Sequence, residues 1–491
     1  LSNLKKLASG VGWGTVSVIT ITVFQLVFMA VMARLLEPAD FGLVAIANVS
    51  LRFFSYFAQM GIAPALIQKP TLDDGDVRAA LALSLGVSTF FFLLALASAG
   101  MIQNFFEMQS LGLVVQIMAF NFVIVGFSSV TLGLMRRNTK FKALAIVEII
   151  SYVCGYGLVG LSAAYYGAGV WALVAAFMTQ TGVTALISYS IARHPIGVRH
   201  TSEQRKHFVS FGGRYSLIGF IEFLSSNIDA LIIGKLMGAT PAGYYNRALL
   251  LANLPVQQPA NVLTKALFPI MSSMGNQHDK QSTSFQLSTL LIGSYAFAVG
   301  IGIYIAAPEI VRVLLGEKWL DAIPILQILA WSVGPLYVSH VAGVTLDSMA
   351  MLAIKVRIQF PLLALLMLLL LLSAESGSVA NIALAVVATE WVRVVIMSWV
   401  LVFLLKIPLT DCFKVALSIL LIAFITGFSI WIASQLIVTN MHVFPRLIIA
   451  IIAGFIGLVI GFWVIRLIVS KLPAVLFLAD RQPRLAKLLV K

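Results

Sequence analysis

The sequence predicts an all-α polytopic membrane protein. Three observations carry that expectation: a composition too apolar for water, charge-poor runs that recur at membrane-spanning length, and basic residues gathered into alternate connections. Of 491 residues, 60% are hydrophobic and 11% charged, and the mean hydropathy is +0.99. A water-soluble domain carries about 25% charged residues. This chain cannot cover its surface with polar groups, so lipid must be its solvent. A run of about 20 apolar residues crosses the hydrocarbon core. About fourteen transmembrane helices are expected on that basis, over residues 10–34, 42–66, 80–102, 111–135, 143–166, 169–192, 210–236, 244–271, 284–307, 323–349, 352–373, 378–405, 415–438 and 447–470. The first run is long enough to remain a span rather than act as a cleaved signal.

Basic residues set the orientation. One set of connections holds Lys5 and Lys6, then Lys69 and Arg78, then Arg136, Arg137, Lys140 and Lys142, then Arg193, Arg199, Arg205 and Lys206. The same set continues with Lys280, Lys355, Arg357, Lys406, Lys414 and the tail from Arg481 to Lys491. The other set carries scattered charges such as Arg312, Lys318 and Arg446. The first set is expected in the cytoplasm, with both termini cytoplasmic and the chain multi-pass in the cell inner membrane. The net charge of +14 is therefore spread over short loops and does not point to nucleic acid. No expected loop exceeds about 15–17 residues, the upper limit of a plain connection. That leaves no room for a soluble catalytic domain, and the chain is not expected to be an enzyme. The largest outer loop, from Pro308 to Trp319, is expected to hold a short interfacial helix with Trp319 at headgroup depth. Cys154 and Cys412 fall in or beside apolar runs and offer neither a disulfide framework nor metal spacing. There is no Walker A motif and no His/Cys cluster, so no cofactor or metal is expected.

The chain also echoes itself. Arg34-Leu35-Leu36-Glu37-Pro38-Ala39-Asp40-Phe41-Gly42 returns as Lys235-Leu236-Met237-Gly238-Ala239-Thr240-Pro241-Ala242-Gly243. Gln116-Ile117-Met118-Ala119-Phe120 returns as Gln327-Ile328-Leu329-Ala330-Trp331. A repeat displaced by six spans keeps its orientation in the membrane. Two six-helix lobes are expected, residues 1–200 and 201–407, related by a pseudo-two-fold axis along the membrane normal. Two C-terminal helices and a cytoplasmic tail, residues 408–491, lie outside the repeat. Transporters built from parallel repeats hold their substrate between the lobes and rock them for alternating access.

Polar side chains at membrane depth are costly and mark cavities or partners. Asn48, Arg52, Ser55 and Gln59 share one helical face by their spacing. Arg52 lies too far from either end to snorkel; it faces a cavity or makes a structural hydrogen bond. Asn246, Asn253, Gln257, Asn261 and Thr264 form a second stripe, interrupted by Pro255 and Pro259, which should kink the helix. Lys265 follows, and snorkelling fits it as well as function does. Arg214, Glu222, Asn227 and Asp229 share a third span. Glu222 and Asp229, seven residues apart, either bind or carry a coupling cation or pair with Arg214 or Arg52. Glu390 and Arg393, one turn apart, can neutralise each other. Glu148, His340 and Asp347 are lesser candidates, Asp347 being near enough to a cytoplasmic end to be solvated. Arg34 and Arg466 read as snorkelling anchors.

Several of these strings together resemble a known family. Ala33-Arg34-Leu35-Leu36 followed by Pro38-Ala39-Asp40-Phe41-Gly42 resembles the first outer turn of the bacterial polysaccharide transporter (Wzx-type) flippases. So do Asp229 with Ile233-Gly234, Met237-Gly238-Ala239 and Gly243-Tyr244-Tyr245-Asn246. Leu314-Leu315-Gly316-Glu317-Lys318-Trp319 with Ala322-Ile323-Pro324 is similar as well. The resemblance covers roughly residues 10–350. It implies the multidrug/oligosaccharidyl-lipid/polysaccharide exporter fold. It implies a substrate of undecaprenyl-diphosphate-linked oligosaccharide, flipped from the cytoplasmic to the periplasmic leaflet for exopolysaccharide, capsule or O-antigen assembly, with the motifs nearest to colanic-acid-type exporters. Its partners would be that lipid-linked oligosaccharide, membrane lipids, and the polysaccharide polymerase and export proteins downstream. On this reading Arg52, Asn48, Gln59, Asn253, Gln257, Asn261 and Arg214 bind substrate, and Glu222 and Asp229 couple an ion. A guanidinium can hold a diphosphate bidentately, and neutral amides suit sugar hydroxyls. The other reading is a cation-coupled small-molecule exporter on the same fold. A polymerase or ligase of the same pathway needs a large outer loop, which the sequence does not supply.

Overall fold

The computed structural model describes residues 2–58, 62–69, 71–197, 223–275, 277–375, 377–436 and 441–469. Those residues form helices and short connections, with no β-strand among them. In chain order they are α1 (Ser2–Leu35), α2 (Pro38–Ala58), α3 (Ile62–Gln68), α4 (Asp74–Phe106), α5 (Leu111–Arg137), α6 (141–165, π-helical over Val153–Gly160) and α7 (Val170–Ile191). Then follow α8 (223–237), α9 (Ala239–Ser273), α10 (His278–Leu314), α11 (Ala322–Ser348), α12 (Leu352–Ala374), α13 (Val379–Leu404), α14 (Leu409–Leu436) and α15 (Val443–Val469). Eleven helices of the described residues are long and apolar enough to cross a membrane. The protein is therefore a polytopic, all-helical membrane protein. Neither α2 nor α9, the helices that carry two of the expected polar stripes, is among the eleven.

The chain divides into two compact units. The first comprises Leu1–Asn246 with Leu314–Lys318, and the second Arg247–Val313 with Trp319–Lys491. In the first unit, Val77, Ala80 and Leu81 of α4 pack with Leu66 of α3 and Val130 of α5. The start of α4 is written in its sequence. Asp73 caps the helix by accepting from the Asp76 backbone N–H at 2.6 Å, and Asp76 returns a bond to the Asp73 N–H at 3.2 Å, a reciprocal capping box. Asp76 is fully buried and ion-pairs with Lys69. Arg137, at the end of α5, donates to the carbonyls of Leu66 (2.7 Å), Ile67 and Lys69. It thereby satisfies the orphan acceptors at the C-terminus of α3. Along α1 and α6, Phe24, Phe28, Tyr152 and Tyr156 stack in a column with centroids 5.8, 5.9 and 4.9 Å apart.

In the second unit, Leu290 and Ala298 of α10 pack with Val415, Ile419 and Ile422 of α14 and Ile465 of α15. An apolar cavity of about 310 Å³ lies among α10, α11, α13 and α14, lined by Phe285, Phe297, Trp391 and Ile419, with Gln286 and Thr289 as polar members. The expected spans 10 and 11, which nearly touch in the sequence, are separated by a turn in which Ala350 takes a φ of 57°.

One expectation is corrected. Residues after Pro308 do not form a separate interfacial helix. The proline sits inside α10, which runs on to Leu314, and only Glu317–Trp319 form a short 3-10 turn. Trp319, in that turn, is fully buried.

Candidate functional site

The α2 face presents Asn48 half-buried and Arg52 exposed. Ser55 turns back onto its own helix, donating to the Leu51 carbonyl at 3.1 Å. No described residue hydrogen-bonds or ion-pairs with Arg52. Gln59, Arg214 and Glu222, also expected at the site, lie outside the described residues.

Asp229 on α8 is buried. Its carboxylate accepts from the hydroxyl of Tyr245, itself fully buried at the start of α9, and from the Ala230 N–H at 2.8 Å. Asn227 donates to the Phe223 carbonyl of its own helix at 2.8 Å. Sequence reasoning named Asp229 but missed Tyr245. Their pairing bridges two helices, and nothing in local periodicity encodes it.

On α9, Gln257 and Asn261 are exposed, one turn apart, and neither bonds to a described residue. Asn253, a turn earlier, donates to the Leu249 carbonyl at 3.1 Å, while its side-chain oxygen is buried without a protein donor. The helix runs unbroken through Pro255 and Pro259. Tyr337 donates to the Asn253 carbonyl at 3.3 Å and Tyr295 to the Pro255 carbonyl at 3.1 Å. Thr264, one turn beyond Asn261, meets His340 of α11 at 2.9 Å. Within the second unit, then, one face of α9 presents a ladder of amides, and two tyrosines and a histidine support its backbone and lower end.

The other charged candidates have structural partners. Glu390 pairs with Arg393 at 3.2 Å, Glu148 accepts from Ser17 at 2.8 Å, and the part-exposed Asp347 pairs with Lys355 at 3.0 Å. Among the described residues no group of His, Cys, Asp and Glu could hold a metal ion.

Charged groups also gather at the connections of the first unit. Glu107, which ends α4 in a left-handed conformation (φ 57°), bonds Lys235 at 2.7 Å. The ammonium holds its carboxyl below the usual range. Lys235 also lies over the Phe105 ring at 5.4 Å. Glu37 pairs with Lys318 at 2.6 Å. Asp40 accepts from the Glu37 N–H at 3.0 Å, and burial pushes its carboxyl up.

A family model described as "Polysaccharide biosynthesis protein" matches residues 31–324. The teichuronic acid biosynthesis protein TuaB of Bacillus subtilis is 25% identical over 84% of this chain and 85% of its own. The lipopolysaccharide biosynthesis protein WzxC of Escherichia coli is 22% identical over 67% of each chain. Among solved structures, the lipid II flippase MurJ in an inward closed conformation superposes with a TM-score of 0.69 at 12% identity, covering 91% of this chain and 98% of that one. At that identity the likeness speaks for the fold.

Proposed function

Because this chain belongs to the polysaccharide biosynthesis protein family, and with it to the Wzx-type transporters of the multidrug/oligosaccharidyl-lipid/polysaccharide exporter superfamily, we propose that it flips an undecaprenyl-diphosphate-linked oligosaccharide from the cytoplasmic to the periplasmic leaflet. It is a transporter and not an enzyme. The reading takes the chain as fourteen spans in two matching lobes with both termini in the cytoplasm, and transport proceeds by alternating access between the lobes.

The observation that carries the proposal is the exposed Arg52 of α2, which has no hydrogen-bond or ion-pair partner among the described residues. The anionic diphosphate is the natural occupant of that guanidinium, which offers a planar fork of donors. The exposed amides Gln257 and Asn261, with Asn253 and Asn48, supply donors and acceptors of the kind sugar hydroxyls require. The lipid tail stays in the bilayer while the headgroup crosses, so the protein desolvates only the polar part. The names of the relatives, each assigned to a different cell-surface polymer, support the substrate class and leave the sugar open. Asp229, held by Tyr245, is the ion-coupling candidate within the described residues, and Glu222 and Arg214 complete the proposed set.

Export of the polymer tests the reading. In Arg52→Ala, export is expected to stop while the protein still reaches the membrane at normal levels, and lipid-linked repeat units are expected to accumulate. Normal export in that variant would remove the proposed role of Arg52. Altered drug susceptibility with normal polysaccharide in a deletion strain would favour the small-molecule exporter instead.

A further inference from the structure

We propose that the crevice among α10, α11, α13 and α14 is a binding site for one anionic phospholipid, held as a structural ligand of the second unit. The inference does not depend on what the protein transports, and all four helices belong to that unit. Helices α10 and α14 run in step. Leu290 packs with Val415, and a Cβ added to Gly293 would stand 2.7 Å from the Ile419 side chain. Gln286, four residues before Leu290, is therefore level with Cys412, three before Val415. Ser398 and Val402 of α13 and Ile407 of the following turn line the same end. At the other end Phe297 and Trp391 meet edge to face at 5.8 Å, with Leu420 beside them in the lining. The crevice is thus polar at one end and apolar at the other. From Cys412 to Leu420 it extends about 12 Å along α14, within one leaflet's share of a roughly 30 Å hydrocarbon core. Its flank is open, since Val395 is 63% and Leu420 54% exposed and Ala416 is exposed as well. A lipid chain can enter there sideways from the bilayer.

The polar end says what kind of lipid fits. Gln286 and Thr289 are only 8% and 9% exposed. The Gln286 Nε2 donates to the Ser282 hydroxyl at 3.2 Å. Its Oε1 and the Thr289 hydroxyl are buried with no partner among the described residues. Polar groups left unsatisfied away from water are costly. A bare hydrocarbon chain would fill the apolar end and leave both orphaned. A glycerophospholipid carries ester carbonyls to which a hydroxyl can donate, and a glycerol headgroup carries hydroxyls that an amide oxygen can accept. Charge at this end selects among headgroups. No described residue ion-pairs with Lys280 or Lys406, while Lys414 pairs with Asp411 at 3.2 Å. With Asp279 counted, three ammonium groups stand against two carboxylates, an excess that favours an anionic headgroup over a zwitterionic one. Phosphatidylglycerol joins the negative phosphodiester to the required hydroxyls. Bound there, it would fill the space between α13 and α14 and satisfy the polar atoms that the protein leaves open.

Retention of lipid by the purified full-length protein is the test. Delipidated protein in detergent is titrated with dioleoylphosphatidylglycerol or dioleoylphosphatidylethanolamine. Bound lipid is counted by native mass spectrometry, and the unfolding temperature is followed in parallel. One phosphatidylglycerol is expected to bind at severalfold lower concentration than phosphatidylethanolamine and to raise the unfolding temperature. Ala416→Trp, which fills the crevice from its open flank, should weaken that binding severalfold or more. Lys406→Gln should narrow the preference between the two lipids. If Ala416→Trp does not fold, Thr289→Val decides. Removing an orphaned hydroxyl should leave the lipid-free protein at least as stable, yet weaken phosphatidylglycerol severalfold. Equal retention of both lipids by the wild type, or binding unchanged in every variant that folds, overturns the proposal. So does tighter binding of undecaprenyl phosphate in competition, which would assign the crevice to a polyprenyl tail.

Discussion

Tyr295 of α10 donates its hydroxyl to the backbone carbonyl of Pro255 at 3.1 Å, the acceptor that Pro259, four residues on, leaves without a helical donor. A proline in a spanning helix frees a carbonyl that must find another partner in an environment without water. Here a tyrosine from a neighbouring helix supplies it, so α9 carries its prolines beside the amide ladder without losing helicity.

Tyr295→Phe should therefore lower stability by about 1 kcal/mol, the net worth of a typical hydrogen bond. Pro259→Ala restores the helical donor, so adding Tyr295→Phe to it should cost close to nothing. Unfolding of the purified protein in detergent, run as a double-mutant cycle, measures the difference. An equal loss in both backgrounds would mean that the hydroxyl serves some other group.

Arg137 spans from α5 to the last carbonyls of α3. Hydrogen bonds from a charged donor are worth about 1.5–3 kcal/mol, and the three acceptors sit at one helix end. Arg137→Gln should destabilise the first unit by an amount on the order of that range, and Arg137→Lys should recover only part of it. Thermal stability of the two variants is the measurement. Identical values for wild type and Arg137→Gln would show that water caps α3 equally well.

His194 is buried beyond the end of α7, 3.2 Å from the Thr131 hydroxyl and against the rings of Phe127 and Tyr189. Burial holds its pKa below the ordinary 6.5. In the window between the folded and unfolded values, the unfolded chain binds the extra proton. Stability contributed by neutral His194 is thus present above about 6.5 and is lost as pH falls through that window. His194→Phe should flatten this part of the stability profile between neutral and mildly acidic pH. A profile unchanged by the substitution would place the acid sensitivity elsewhere.

Asp229 and Tyr245 make a bridge from α8 to α9. If Asp229 couples an ion, Asp229→Asn should abolish dependence of transport on that gradient while leaving folding near normal, because an amide can still accept from the tyrosine. Tyr245→Phe should keep the charge and so retain coupling with a reduced rate. Flipping assayed in proteoliposomes under an imposed proton or sodium gradient distinguishes these outcomes. Gradient dependence retained in Asp229→Asn removes Asp229 from the coupling role.

Much of the membrane architecture was legible because its causes are local. A charge-poor run of spanning length has no alternative to a helix in lipid, although the Asp73–Asp76 box starts α4 six residues before the expected span. The polar positions Arg52, Gln257 and Asn261 were equally readable, since a costly side chain advertises itself by its surroundings in the chain. The role of Trp319 was not readable, because an aromatic at a loop end suits the headgroup region and a buried turn alike. Nor were the partners. Tyr245 meets Asp229 across 16 residues, Tyr295 meets Pro255 across 40, Tyr337 meets Asn253 across 84 and Lys318 meets Glu37 across 281.

The sequence by itself determined that this protein is a polytopic, helical membrane protein, and it marked the side chains that are costly to place in lipid. These follow from the free energy of transferring each segment from water to hydrocarbon, a property that a segment owns without its neighbours. Only the tertiary structure decided which partners satisfy those polar groups among the described residues, and that the two echoed turns meet at Gly42 and Gly243. Such pairings depend on distances between helices remote in the chain, and a one-dimensional pattern carries no record of them.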